Sequence, residues 1–187
     1  MANDHYFNSI KQIRVTELLD TGAPDPSATA KTASNPKELS VSYVYEEGEE
    51  KTQRGGDVLV CTITEEDTFK GADLDLTIAN LDYDVKQAIC GGSLKTSGPD
   101  TIGWESSSTM PGPFLLEVWV PKYDCASSVE GMEDGYLKLT YNYCKGRLAD
   151  RSHADREFGE DKFSIKARQN PFSGDPAEEL EEVADIT

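Results

Sequence analysis

The sequence predicts a mainly β protein (α+β): a two-sheet β-sandwich or partly open barrel of about seven strands, with one short flanking helix. Three observations predict it. Apolar and polar residues alternate with period 2 in separate segments, most cleanly over 71–79. Only 82–90 changes to a helical period. The strand segments follow one another around that single helix instead of alternating with helices, which argues against a parallel βαβ sheet. No self-similarity appears at a period of about 20–50 residues, so a repeat architecture is excluded.

Taken in order, 10–19 mixes β-branched and polar residues, with Ile13 and Val15 on one face, and forms the first strand. Residues 21–38 (TGAPDPSATAKTASNPKE) are rich in Pro, Ala, Ser and Thr and read as a long loop. In 39–45, Leu39, Val41, Tyr43 and Tyr45 oppose Ser40, Ser42 and Val44. This strand and 57–64 (DVLVCTIT) make a hairpin whose long, charged, Gly-ended tip is 46–56 (EEGEEKTQRGG). In 71–79, Ala72, Leu74, Leu76 and Ile78 face a core, while Asp73, Asp75 and Thr77 face water.

The helix at 82–90 aligns Leu81, Val85, Ala88 and Ile89 on one stripe. Asn80 or Asp82 is placed to cap its start, and Gly91-Gly92 to supply a left-handed stop. A second long loop spans 92–111. The strand 113–120 (PFLLEVWV) is apolar on nearly both faces, with Glu117 its lone charge. In 135–145, Leu137, Leu139, Tyr141 and Tyr143 oppose Lys138, Thr140 and Asn142. The last strand, 161–168, turns Phe163, Ile165 and Ala167 inward and Lys162, Ser164, Lys166 and Arg168 outward, and Pro171 stops it. The β domain is therefore 1–170, followed by an acidic tail, 171–187. The last 13 residues hold six acids and no base, and are expected to be free chain or a short helical extension through Leu180 and Val183.

At 187 residues the chain can bury a substantial core without a metal or disulfides. The formal charge of -17 and pI of about 4.4 oppose bulk attraction to nucleic acid or to an anionic membrane. No stretch is long and apolar enough to span a bilayer, and MANDHYFNSIKQIRV lacks the basic and apolar regions of a signal peptide. The expectation is a soluble acidic protein made in a cytosol. Cys61, Cys90, Cys125 and Cys144 show neither C-x-x-C nor metal-ligand spacing, and free thiols are expected. Neither His5 nor His153 lies beside a nucleophile.

Chemistry-bearing motifs are scarce. There is no P-loop, and Gly55-Gly56 and Gly91-Gly92 are turn glycines. Asp73 and Asp75 sit about 6–7 Å apart on one strand face. That spacing suits a retaining glycosidase pair or a divalent cation, but a solvated acidic face accounts for it better. Cys144 with His153 reads better as a buried thiol and a loop histidine than as a catalytic pair. Trp119 falls in the most apolar strand and suits a core or a subunit contact, while Trp104 in the second loop suits a surface contact. No catalytic, cofactor-binding or metal residue is assigned, and the chain is not read as an enzyme.

What does stand out is adhesive surface. A two-sided apolar strand, a charged hairpin tip and exposed strand edges need closure or defined partners. A homo-oligomeric ring would bury Phe114, Leu116, Val118 and Trp119 between subunits. The tip, with Glu46, Glu47, Glu49, Glu50, Lys51 and Arg54, would then reach a neighbouring ring.

The order of elements resembles the tail tube (major tail) proteins of tailed bacteriophages, a family related in fold to the tube proteins of contractile injection systems. The segment GADLDLTIANLDYDVKQAICGG is similar to that family's strand-into-helix segment, and EFGEDKFSIKARQNP to its closing strand. The resemblance covers roughly 4–170 and is one of pattern and length, while the 21–38 loop and the acidic tail are its least typical parts. It implies a structural virion protein that polymerises into stacked hexameric rings around a channel for viral DNA, which passes without specific binding. The implied partners are further copies of the chain and the tail initiator, tape measure and terminator proteins. The implied location is the virion tail, with the host cytoplasm during assembly. By this analogy the channel wall carries Ser40, Ser42, Thr62, Thr64, Glu117, Lys138, Thr140 and Asn142. A polar or acidic wall keeps DNA sliding because each basic contact would add affinity by releasing counterions. Two alternatives stay open: a tail-completion or neck protein, and a monomeric β-sandwich binding carbohydrate or protein through Trp104.

Overall fold

The computed structural model describes residues 5–7, 9–34, 36–55, 58–79, 82–108, 111–124, 133–152 and 159–186. Its strands begin with β1 (His5–Phe7), β2 (Gln12–Glu17), β3 (Lys31–Ala33), β4 (Pro36–Glu46), β5 (Glu50–Gly55), β6 (Val58–Thr64) and β7 (Thr68–Ile78). After helix α1 (Tyr83–Cys90) come β8 (Ser93–Ser97), β9 (Asp100–Glu105), β10 (Phe114–Asp124), β11 (Glu133–Ser152), β12 (Glu160–Arg168) and β13 (Glu179–Val183). The class is mainly β, as expected. Seven strands, in the order β3-β2-β10-β11-β12-β7-β4, form a sheet curled into a half-barrel, with β1 added to β10 and β13 to β11. The pairs β5-β6 and β8-β9 are separate two-stranded ribbons.

Alternation decides which side of the sheet is dry. Ile13 and Val15 of β2, Leu74 and Leu76 of β7, Phe114, Leu116 and Val118 of β10, and Ile165 and Ala167 of β12 are completely buried on the inner side. Helix α1 closes that side with Val85, Ala88 and Ile89. Its ends follow the expected chemistry. The Asp82 carboxylate accepts from the Asp84 and Val85 amides at 3.1 Å each, and the Gly91 amide returns to the Gln87 carbonyl at 2.7 Å with Gly91 at φ 70°. Asn80 and Leu81 lie outside the described residues. The helix sits so close to β11 that a Cβ on Gly146 would meet Ile89 Cγ2 at 2.4 Å.

The structure corrects several expectations. The 21–38 loop is shorter: an isolated bridge links Leu18 to Pro24, β3 pairs with β2 opposite Ile13–Val15, and β4 already starts at Pro36. Three residues, KTA, are too few to show a period. The strand 39–45 does not pair with 57–64. β4 runs antiparallel to β7 (Leu39 opposite Leu76, Val41 opposite Leu74), and the ribbon β5-β6 is inserted between them. The 46–56 segment is therefore the last residue of β4, a linker and β5, not a loose tip, with Gly56 outside the described residues. The second long loop holds the β8-β9 ribbon, turned at Gly98-Pro99 with Gly98 at φ 64°, the geometry of a II′ hairpin.

Two further corrections concern β11. A register shift near Tyr141–Cys144 exchanges the faces, so Cys144 joins Tyr141 in the core and Tyr143 does not. The acidic tail is also not free. β13 pairs with β11, placing Leu180 opposite Leu139 and Glu181 opposite Lys138, while Glu182 bonds Lys122 at 2.6 Å.

A buried ion cluster ties helix to sheet. Lys86 Nζ lies 2.9 Å from Asp161 Oδ2, and Arg151 Nε lies 2.7 Å from Asp161 Oδ1, with Lys86 and Asp161 both buried. Burial opposes the Asp161 charge, but the hydrogen bonds from Arg151 and Lys86 prevail and hold its carboxyl below the ordinary value. A depressed folded-state pKa means that this contribution is complete above about pH 4, the unfolded carboxyl value, and is lost as pH falls through the folded value. Asp161→Asn should lower unfolding free energy by about 3 kcal/mol at neutral pH, because it strands the buried Lys86 ammonium, while half-exposed Arg151 can turn to water. Urea unfolding should also show a flatter acid limb, and adding Lys86→Met should recover part of the loss.

Candidate assembly surface

The sheet ends on β4, an 11-residue strand with nothing paired to its outer edge among the described residues. Such an edge offers a row of free amides and carbonyls to another chain. Beside it lies an exposed aromatic cluster. Tyr43 is 54% exposed, Tyr45 57% and Phe69 43%. Phe69 contacts Tyr43 edge-on at 6.0 Å between ring centroids and Tyr45 at 5.6 Å. The sequence pattern turned both tyrosines inward with Leu39 and Val41. The shift between Val44 and Tyr45, and the approach to the end of the sheet, leave them uncovered instead.

The β5-β6 ribbon adds unpartnered structure. Two-stranded ribbons are marginal by themselves, yet β5-β6 has no sheet neighbour among the described residues. Its base is a collar in which 47–49 and 65–67 run side by side. The Glu65 amide donates to the Glu49 carbonyl at 3.2 Å, and the Gly48 amide to Asp67 at 3.0 Å. Glu46, Glu47, Glu49, Glu50, Glu65, Glu66 and Asp67 are all exposed there, with Lys51 and Lys70 between them. Of the expected inter-ring residues, Glu46 is bound to Lys70 at 2.5 Å and Lys51 lies 3.3 Å from Glu49. The Arg54 side chain lies outside the described residues.

The expected subunit-contact strand is corrected outright. Phe114, Leu116, Val118 and Trp119 are all 0% exposed within one chain, since β10 is a central strand between β2 and β11. Trp119 faces away from the core but is sealed by Arg14 (4.8 Å from its ring centroid) and Lys138 (5.7 Å).

The proposed wall residues separate into three places. Glu117, Lys138 and Thr140 share the outer side of β10-β11, where Glu117 bonds Lys138 at 2.6 Å and Arg14 at 3.6 Å. The Asn142 amide donates to the Pro176 carbonyl at 3.0 Å and to Glu179 at 2.9 Å. Ser40 and Ser42 are exposed on β4 opposite Asp75 and Asp73, three strands away from β11 around the curl. Thr62 and Thr64 are not on the sheet at all, but on β6 opposite Thr52 and Glu50.

The rival sites do not assemble. Asp73 is held by Arg168 at 2.7 Å while Asp75 stands exposed beside Ser40 in a shallow hollow, so the two carboxylates do not converge on one cleft. No group of metal-ligating side chains is gathered among the described residues. Cys144 is buried and its thiol is pushed well up by that burial, which removes it as a nucleophile; His153 lies outside the described residues. Trp104 is engaged, donating through Nε1 to the Gly91 carbonyl at 2.8 Å with Lys86 4.8 Å from its ring centroid. Comparison of the chain with protein-family models and with curated proteins gave no match.

Cys61, Cys90 and Cys144 are free, while Cys125 lies outside the described residues. Burial pushes the Cys90 thiol up to about 11, against the pull of Lys86. In a native-state maleimide time course read by peptide mass mapping, exposed Cys61 should label at least about 100-fold faster than Cys144, whose reaction waits on opening of the core.

Proposed function

We propose that this chain is a tail tube subunit of a tailed bacteriophage, a non-enzymatic virion protein whose copies form stacked hexameric rings around a DNA channel. The observation that carries the reading is the free 11-residue edge of β4 flanked by exposed Tyr43, Tyr45 and Phe69. A half-barrel with such an edge is an incomplete object, and neighbouring copies complete it into the closed, sandwich-like form that the resemblance implies. The β5-β6 ribbon is the element that reaches an adjacent ring.

The charge pattern suits a channel wall on the outer side of β2, β10 and the part of β11 around Lys138 and Thr140. Glu117 is shared between Arg14 and Lys138, so part of their charge is offset within the chain and they have less counterion release to offer passing DNA. The curl turns β4 in a different direction, which leaves Ser40 and Ser42 off this wall. The tail initiator, tape measure and terminator remain the partners, and the virion tail the location.

Tyr45→Lys with Phe69→Glu, which replaces the cross-strand ring pair by opposite charges, should leave the far-ultraviolet circular dichroism of the chain unchanged while abolishing rings or tubes. Negative-stain electron microscopy across a concentration series reads the outcome. Assembly equal to wild type would overturn the edge as the contact, and a wild-type chain that shows only monomers with its initiator present would overturn the reading itself.

A further inference from the structure

The outer face of β11-β12 contradicts the rest of this acidic molecule. Lys145 and Lys166 are direct cross-strand partners, both exposed, and Arg147 sits two residues along the same face opposite Ser164. None of the three has a carboxylate within ion-pair distance among the described residues. Lys145 lies 5.8 Å from the centroid of the Tyr143 ring, which supplies no countercharge. The nearest acids in register are occupied or displaced: Asp73, opposite Lys166 on the other side, is taken by Arg168, and Asp150 faces Lys162. Like charges directly opposite in an antiparallel pair destabilise the sheet. Three cations without a carboxylate partner among the described residues, within a Debye length of one another, therefore stand at a cost to the monomer that an external anion removes.

We propose that this basic stripe docks the acidic collar at the base of the β5-β6 ribbon of a second copy. The inference rests on the assembly reading above. The collar presents Glu47, Glu50, Glu66 and Asp67, none of them ion-paired with a described cation, on a part of the chain that projects from the sheet. The acids of β13 and the turn before it are not equivalent, since Glu178 and Glu179 bond Tyr141 and Asn142 of their own chain. Stripe and collar are different surfaces of one chain, so their contact is head-to-tail, the kind that generates rings or open stacks rather than closed dimers. Unpaired cations on the channel wall would grip DNA, so the same stripe belongs at a subunit contact instead.

The test uses two full-length variants. One carries Lys145→Glu and Arg147→Glu, the other Glu47→Lys, Glu50→Lys and Glu66→Lys. Each alone should raise the critical concentration for assembly at least about tenfold, equivalent to about 1.4 kcal/mol, by light scattering and electron microscopy. An equimolar mixture should restore assembly, because each altered surface then meets its complement. In the stripe variant the new carboxylate from Lys145→Glu would oppose Lys166, so the monomer's urea midpoint should rise while assembly falls, an opposition that a purely structural role would not produce.

If both variants assemble like wild type, the contact is overturned and the assembly reading stands. If each is blocked but the mixture is too, the two surfaces do not meet. If wild type retains double-stranded DNA in a gel shift and the stripe variant does not, the stripe is a nucleic-acid contact and the proposal fails. A wild-type chain that never assembles overturns both.

Discussion

The 20-residue strand β11 pairs with β10 along its first part, and with β12 and β13 along its other edge. For both halves to contribute to one core, the strand must change face partway, and the shift between Leu116 opposite Tyr141 and Phe114 opposite Cys144 does this. Before it, Leu139 and Tyr141 point inward; after it, Cys144, Gly146 and Leu148 do. The absence of a side chain at Gly146 then lets Ile89 and the helix descend onto the sheet. Without that change of parity, one half of the long strand would turn its apolar residues to water.

The same spine distributes polarity unevenly around the curl. On the β10 side, charges are matched inside the chain: Glu117 holds two cations, and those cations cover Trp119. On the inner side, Asp161 is matched twice, by Lys86 and Arg151, and this buried cluster orients the helix more than it adds net stability. At the far edge the ion pairs of β4, Glu46 with Lys70 and Lys37 with Glu160, lie at the surface. β4 has a free edge and uncovered aromatics, and the ribbon beside it stands away from the sheet.

Composition and pattern determined a good deal of this protein. The mainly β class, the inward faces of 71–79 and 161–168, and the helix with its Asp82 cap and Gly91 stop were all legible, because period-2 alternation and capping are local chemistry that tertiary context rarely reverses. The acidity was legible from composition alone.

Tertiary structure alone decided which strands are neighbours. Nothing local distinguishes pairing of β4 with the adjacent β6 from pairing with β7 beyond the ribbon, and only burial of Leu39 and Val41 against the common core selects the latter. Burial also moved Phe114, Leu116, Val118 and Trp119 from an expected interface to the centre of one chain, since an apolar strand looks the same in sequence whether its cover comes from its own sheet or from another subunit. The acidic tail became a strand because β11 had an open edge to offer and Lys122 a charge, both distant in sequence. The cross-strand meeting of Lys145 and Lys166 is of the same kind: register between residues 21 apart creates a charge pattern that neither segment carries alone.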